Sequence, residues 1–210
     1  MTLIYLVRHG ETDWNRERRI QGSTDIPLND TGREQAAATG ALLSTRRWDG
    51  VYASPLARAY ETGSIIAREL GLGAPGVVDD LAERRYGQAE GLTGDEIDAL
   101  FPGDTPVPGR ETRDEVAART IPALVALAER HAGESIVVVS HGGVIRTILT
   151  AVAPGAHAEP IRNGSVHSFR HTDGTLDLIA FDDPIEVESL ENAVDDIEDQ
   201  NAVESRDSRV

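Results

Sequence analysis

Short apolar runs alternate along the chain with longer segments in which apolar residues recur every three or four positions. The runs have the length of buried β-strands, and they cover residues 3–7, 50–53, 77–78, 135–139, 166–170 and 176–181. The periodic segments are typical of amphipathic helices, and they cover residues 31–45, 54–70, 94–100, 112–131 and 144–152. Strands that alternate with helices predict an α/β protein, a three-layer α/β/α sandwich with a mostly parallel central sheet.

Polar residues predict where three of these helices begin. Residues 31–34 (Thr-Gly-Arg-Glu) and 112–115 (Thr-Arg-Asp-Glu) have the spacing of a capping box, in which the Thr and Glu side chains satisfy free backbone N–H groups. Ser54 and Pro55 are the residue types preferred at the N-cap and at the first helical position. Pro122 lies inside a periodic segment, so we expect a bend or an interruption there.

The negative charge of the chain is concentrated at its C-terminal end. The formal net charge is −16, and residues 182–210 contribute −9 of it through eleven acidic residues and two arginines. That segment is poor in large apolar residues, although residues 185–194 would allow a short helix. We therefore expect a domain at residues 1–183 and an acidic, disordered tail at residues 184–210.

Composition also excludes several function classes. The acidic surface argues against nucleic-acid and anionic-membrane partners, because both repel negative charge. Cysteine is absent, which excludes disulfides, thiolate catalysis and thiolate–metal sites. The N-terminal apolar run is too short for a signal peptide, and no stretch approaches the roughly 20 apolar residues of a membrane span. We therefore expect a cytoplasmic protein.

All 20 basic residues are arginines. A phosphate clamp in this chain would therefore consist of guanidinium groups, which bind phosphate oxygens in a bidentate way. A compositional bias of the genome would explain the missing lysines equally well.

Two histidines follow directly after two of the predicted strands. His9 stands in Arg8-His9-Gly10, and His141 is followed by Gly142. The carboxyl ends of parallel strands meet at one edge of a sheet, where α/β folds keep their sites. Arg58 lies one turn into a helix and leans back towards the same edge, where free N–H groups of the helix add to an anion site. This combination predicts an enzyme that acts on phosphate esters.

The chain resembles the histidine phosphatase superfamily, which includes the cofactor-dependent phosphoglycerate mutases. The resemblance spans about residues 3–181 and is specific through the order and spacing of its motifs, which are Arg8-His9-Gly10-Glu11-Thr12, Asn15, Gln21-Gly22, Ser54-Pro55-Leu56-Ala57-Arg58-Ala59, Glu83 with Gly87 and Glu90-Gly91, and Ser140-His141-Gly142. It implies the phosphoglycerate mutase-like α/β/α fold.

The resemblance also implies the roles of the residues. His9 would be the nucleophile that becomes phosphorylated, with its other ring nitrogen held by a backbone carbonyl. Arg8, Arg58 and His141 would neutralise charge on the transferring phosphoryl group. Glu83 would protonate the leaving group and then deprotonate the attacking water or hydroxyl. Further phosphate or substrate contacts would come from Gly10, Asn15, Gln21, Gly22, Gly142 and Gly143.

Hydrolysis and mutase activity differ in what attacks the phosphohistidine. A lid is expected at about residues 81–110, and its part at residues 92–109 has no arginine and four acidic residues, Asp95, Glu96, Asp98 and Asp104. This composition favours a phosphatase, because a mutase needs extra cations around a bisphosphate. In contrast, Arg84-Arg85-Tyr86 resembles the mutase branch, where such residues meet a substrate carboxylate. A small phosphorylated metabolite that carries a carboxylate fits both observations.

Three alternatives remain open at this stage. The first is a phosphoglycerate mutase, which would need 2,3-bisphosphoglycerate as a phosphoryl primer, whereas a phosphatase needs no cofactor. The second is an inactive module that only binds phospho-ligands. The third is a metal site formed by His9, His141 and carboxylates, although no familiar ligand spacing is present and we expect no metal. Family members occur as monomers, dimers and tetramers, and we favour a homodimer.

Overall fold

The central sheet determines where the candidate residues lie. In a computed structural model, which describes residues 1–183, the sheet has six strands. They are β1 (Thr2–Arg8), β2 (Gly50–Ala53), β3 (Gly76–Val77), β4 (Ser135–Ser140), β5 (Val166–Thr172) and β6 (Thr175–Ala180). The predicted acidic tail at residues 184–210 lies outside the described residues.

The strand order across the sheet is β3-β2-β4-β1-β5-β6. The first four strands in this order are parallel, while β5 and β6 are antiparallel to their neighbours. The mostly parallel sheet is therefore confirmed, with β1 and β4 side by side at its centre.

Within residues 1–183, six α-helices connect the strands, and two short 3₁₀ turns lie at Asp79–Leu81 and Gly87–Ala89. The helices are α1 (Asp13–Arg16), α2 (Asp30–Leu43), α3 (Ala57–Glu69), α4 (Gly94–Leu100), α5 (Arg113–Arg130) and α6 (Gly142–Val152). Alternate residues of β1 face opposite sides, as a pleated strand requires. Ile4 packs in a core with α5 and α6, and Tyr5 packs in a second core with α2 and α3. These two cores confirm the three-layer arrangement.

Two predicted helix starts are wrong, because residues other than Thr31 and Ser54 satisfy the first N–H groups of α2 and α3. Helix α2 is capped by Asn29, whose side chain accepts a hydrogen bond from the N–H of Gly32 at 2.8 Å. Helix α3 has Leu56, rather than Ser54, as its N-cap. The N–H of Ala57 donates a hydrogen bond to the carboxylate of Asp25. The capping box at Thr112 is confirmed, and α5 runs through Pro122 without interruption.

The segment between β3 and α5 passes over the carboxyl edge of the sheet. It includes α4 and forms a small apolar cluster of its own, in which Ile97 packs with Ile20, Tyr86 and Ala89. Two of these residues, Ile20 and Tyr86, also line the pocket described below. No helix within residues 1–183 has the length and apolar character to cross a membrane.

Candidate active site

The register of β1 and β4 brings the two histidines together. Arg8 pairs with Ser140, so His9 and His141 are the next residues on adjacent strands. Their ring centroids are 5.2 Å apart, and both side chains are almost completely buried. The sheet therefore brings together two imidazoles that are separated by more than half of the sequence.

The imidazole of His9 is fixed in one orientation. Its Nδ1 lies 2.7 Å from the carbonyl oxygen of Gly10, which can only accept a hydrogen bond. The proton must therefore reside on Nδ1, which leaves a lone pair on Nε2. The backbone on either side is also held, because Asn163 donates to the carbonyl of His9 and the N–H of Gly10 donates to Thr62. This is the carbonyl contact that the resemblance predicted.

His9 is also held in its neutral form. Burial, together with the positive charges of Arg58 and Arg8, lowers the pKa of His9 well below its usual range. The backbone hydrogen bond to Gly10 opposes this shift but does not outweigh it. An imidazole that stays neutral near pH 7 is the nucleophilic form of histidine.

Two guanidinium groups lie beside His9 and line the same pocket. Arg58 is fully buried and donates to the carbonyl oxygens of Gly22 at 2.8 Å and Thr24 at 2.9 Å. Arg8 donates to the carbonyl of Ile161 at 2.6 Å. Burial lowers the pKa of Arg58 to about 10, so it remains protonated at neutral pH. The arginines are therefore buried cations held by backbone oxygens, as an anion-binding pocket requires.

Glu83 completes the pocket from the side of α6. One carboxylate oxygen accepts the N–H groups of Arg84 at 2.8 Å and Val144 at 3.2 Å, and the other accepts the N–H of Gly143 at 3.2 Å. The N-terminus of a helix attracts negative charge, so α6 stabilises this arrangement. Gly143 also leaves space for Glu83, because a Cβ there would lie 2.7 Å from a carboxylate oxygen.

The pocket brings together most, but not all, of the predicted residues. It holds about 340 Å³ including its open mouth, and it is lined by Arg8, His9, Ile20, Gln21, Gly22, Arg58, Glu83, Tyr86 and Gly143. Within residues 1–183, no three His, Asp or Glu side chains form a group that could hold a metal ion.

His141 lies behind His9 and contacts Ser54. Its Nε2 is 2.7 Å from the Ser54 hydroxyl, and its Nδ1 has no hydrogen-bond partner among residues 1–183. Burial lowers the pKa of His141 well below its usual range, and the charges of Arg58, His9 and Arg8 act in the same direction. His141 is therefore a neutral group beside His9.

Besides His141, five predicted residues do not line the pocket. Gly10 and Gly142 support the backbone next to the histidines, and Asn15 forms a capping box with Thr12 at α1. Arg84 is buried and donates to the carbonyl of Glu111 at 2.6 Å, while the side chain of Arg85 is mostly exposed. The pair of arginines is thus directed towards Glu111 and α5.

Several supporting residues were not assigned a role from the sequence. Asn163 and Thr62 hold the backbone around His9, and Glu90 binds the loop that carries Gln21 and Gly22. Only Glu90 gave a signal, because it belongs to a motif of the resemblance. The others contact the site through the tertiary fold, and no sequence spacing predicts such contacts.

The fold and the pocket together define a class of protein. The chain belongs to the histidine phosphatase superfamily (branch 1), whose model matches residues 4–184. It is 42% identical over 184 residues to phosphoglycerate mutase-like protein 4 of Arabidopsis thaliana, covering 81% of this chain and 80% of the relative. It is 38% identical over 179 residues to the metal-independent phosphoserine phosphatase of the same plant, covering 80% and 75%. A solved mycobacterial glucosyl-3-phosphoglycerate phosphatase is 29% identical with a TM-score of 0.74, covering 85% and 98%.

Proposed function

We propose that this protein is a phosphatase that hydrolyses a small anionic phosphate monoester through a phosphohistidine on His9. One observation carries the proposal, which is that a neutral imidazole shares one pocket with two buried guanidinium groups and a carboxylate. A phosphoryl group placed there would meet a nucleophile, two cations and a proton donor. These are the groups that phosphoryl transfer needs.

The reaction proceeds in two steps. In the first, the monoanionic ester passes its proton to the carboxylate of Glu83, Nε2 of His9 attacks phosphorus, the bond to the ester oxygen breaks, and the leaving alkoxide takes the proton from Glu83. In the second, water attacks the phosphohistidine, gives a proton to Glu83, and the P–N bond breaks to release inorganic phosphate. Arg8 and Arg58 stabilise charge on the phosphoryl oxygens in both steps, and His141 adds a polar group behind them.

The comparisons support a substrate that carries a second anionic group. One relative is named a phosphoserine phosphatase, and a structural neighbour is named a glucosyl-3-phosphoglycerate phosphatase. Both names denote phosphatases whose substrate is a phosphate ester that also carries a carboxylate group.

Two features favour hydrolysis over mutase activity. Residues 92–109 contain four carboxylates and no arginine, and Glu96 in this segment pairs with Arg19. Arg84 and Arg85, which could have added positive charge around a bisphosphate, are directed towards Glu111. Within residues 1–183, the cations that line the pocket are therefore Arg8 and Arg58.

A screen of phosphorylated metabolites, with inorganic phosphate release as the readout, tests this proposal. Phosphoserine and phosphoglycerates should be hydrolysed, and 2,3-bisphosphoglycerate should not be required. A parallel assay follows the interconversion of 3- and 2-phosphoglycerate with and without 2,3-bisphosphoglycerate. Isomerisation that depends on the bisphosphate, with negligible phosphate release, would identify a mutase instead.

A further inference from the structure

The carboxylate of Glu90 lies next to the pocket and accepts hydrogen bonds from two segments of the chain. Its Oε1 accepts the backbone N–H groups of Ser23 and Tyr86, each at 3.0 Å. Its Oε2 accepts the N–H of Thr24 at 3.0 Å and the hydroxyl of Thr24 at 2.6 Å. Glu90 thus fastens the loop at residues 21–24 to the segment that follows Glu83.

Glu90 makes these contacts as an anion. Its partial burial would raise the pKa of Glu90, but the hydrogen bonds from Thr24, Ser23 and Tyr86 outweigh burial and hold the pKa below its usual value. Hydrogen bonds to an ionised acceptor are about twice as strong as neutral ones. The loop is therefore bound firmly at a point next to the pocket.

Gly22 allows this close approach. Its φ angle is +56°, and a Cβ at this position would lie 2.2 Å from Oε1 of Glu90. Any other residue would be strained and would displace the carboxylate. The contacts of the Glu90 carboxylate with this loop therefore require glycine at position 22.

The other side of the same loop holds Arg58. The carbonyl oxygens of Gly22 and Thr24 accept hydrogen bonds from the two terminal nitrogens of the Arg58 guanidinium. Both residues flank Ser23, whose N–H and hydroxyl donate to Glu90. The position of the carboxylate therefore determines where the two carbonyl oxygens point, and these oxygens determine where the guanidinium points.

We propose that Glu90 is a positioning residue for Arg58, acting through the loop at residues 21–24. This inference rests on the proposed phosphatase function, in which Arg58 stabilises the transferring phosphoryl group. Glu90 itself does not line the pocket, so it acts without contacting the substrate.

The first test compares Glu90→Gln with the control Glu96→Gln. Glu96 also accepts an N–H and a hydroxyl, both from Thr93, but it caps α4. With p-nitrophenyl phosphate, Glu90→Gln should lower kcat about tenfold and raise KM by no more than about threefold, because Arg58 contacts the phosphoryl group in the ground state and more strongly in the transition state. Glu96→Gln should change neither by more than about twofold. Equal effects of the two variants would overturn the proposal.

A double-mutant cycle with Arg58→Ala distinguishes positioning from a general structural role. If Glu90 acts through Arg58, adding Glu90→Gln to Arg58→Ala should lower kcat by less than about twofold further. A second tenfold loss in the Arg58→Ala background would show that Glu90 acts by another route. If Glu90→Gln does not fold, Thr24→Val is analysed in the same way, because it removes the hydroxyl at 2.6 Å and leaves Glu90 intact.

Binding of inorganic phosphate, measured by calorimetry, separates this inference from the proposed function. Glu90→Gln should weaken phosphate binding in the wild-type background and leave it unchanged in the Arg58→Ala background. If the wild-type protein binds phosphate in this coupled way but hydrolyses no monoester, the phosphatase proposal fails and the positioning role stands. If phosphate binding is insensitive to Glu90→Gln, the positioning role fails.

Discussion

At the residue scale, the main feature of the site is that its reactive side chains have little freedom. The backbone carbonyl of Gly10 orients His9, and three backbone N–H groups orient the carboxylate of Glu83. Arg8 and Arg58 each donate to backbone oxygens. Preorganised groups of this kind need no rearrangement as charge develops in the transition state. Such preorganisation accounts for the largest part of the rate enhancement of many enzymes.

Replacement of His9 by alanine should abolish turnover, because no other side chain lining the pocket is a neutral nitrogen nucleophile. The wild-type protein should also form a phosphoenzyme that is labile in acid and stable in base, and the variant should not. Trapping with a radiolabelled substrate measures both. A variant that keeps a tenth of the activity would show that the nucleophile lies elsewhere.

Glu83→Gln should affect substrates according to their leaving groups. Alkyl phosphates need a proton on the departing oxygen, so their hydrolysis should slow by about 10²-fold or more. p-Nitrophenyl phosphate should be nearly unaffected in its first step, since its phenolate leaves without a proton. Burst and steady-state kinetics with both substrates measure the difference. Equal slowing of both would place Glu83 in binding or in structure.

At the element scale, the sequence pattern predicted the strands and helices well, because buried strands and amphipathic helices leave a periodic signal. It failed at the starts of α2 and α3. Thr31 has the spacing of a cap, yet the chain is already helical there, and Asn29 is the cap. Ser54 was expected to cap α3, but its hydroxyl lies at hydrogen-bond distance from His141. The cap of α2 is a local choice between two nearby polar residues, whereas the partner of Ser54 is brought close only by folding.

The same limit applies to the site. The strand ends and motifs predicted His9, Arg58 and Glu83, which the structure places in one pocket. The direction of Arg84 towards Glu111 was not predictable, because it depends on how the segment at residues 81–110 packs on α5. Contacts between segments distant in sequence carry no local signature.

The side chain of Arg119 links helix α5 to the segment at residues 80–83. Its guanidinium donates to both carboxylate oxygens of Glu111 and to the carbonyls of Asp80, Ala82 and Glu83. Arg119→Met should lower the free energy of unfolding by about 3 kcal/mol, since it removes the closer cation of the buried Glu111 carboxylate and leaves the mostly exposed Arg85 at 3.8 Å. Urea denaturation measures this change.

The double variant Arg119→Met/Glu111→Gln is the control for this prediction. It removes both charges, so it should recover part of the lost stability. A double variant less stable than the single one would show that the carboxylate is not what makes the loss of Arg119 costly.

At the scale of the whole molecule, buried histidines should make stability depend on pH. Burial lowers the pKa of His9, His141 and His167, the last to about 3. An unfolded histidine has a pKa of about 6.5. Between these values the unfolded chain binds more protons, so the free energy of unfolding falls as the pH drops below about 6.5, by up to about 1.4 kcal/mol per pH unit for each histidine.

His167 provides a test that leaves the pocket intact. Its Nδ1 accepts the N–H of Asp182, and its Nε2 contacts the hydroxyl of Ser165. Between pH 7.5 and pH 5, wild-type protein should lose about 2 kcal/mol more stability than His167→Gln, which cannot titrate. Urea denaturation at the two pH values measures the difference. Equal losses would show that His167 is protonated in the folded state.

The central position of β1 determines when, during synthesis, the contacts around His9 can form. Its two neighbours, β4 and β5, begin at Ser135 and Val166, and the partners of Arg8 and His9 at Ile161 and Asn163 lie between them. His9 is thus synthesised well before the residues that support it. Pairing between such distant segments slows folding and leaves early strands unpaired during synthesis. In a nascent chain, His9 therefore lacks these contacts until the segment that carries β4 and β5 has been synthesised and has docked.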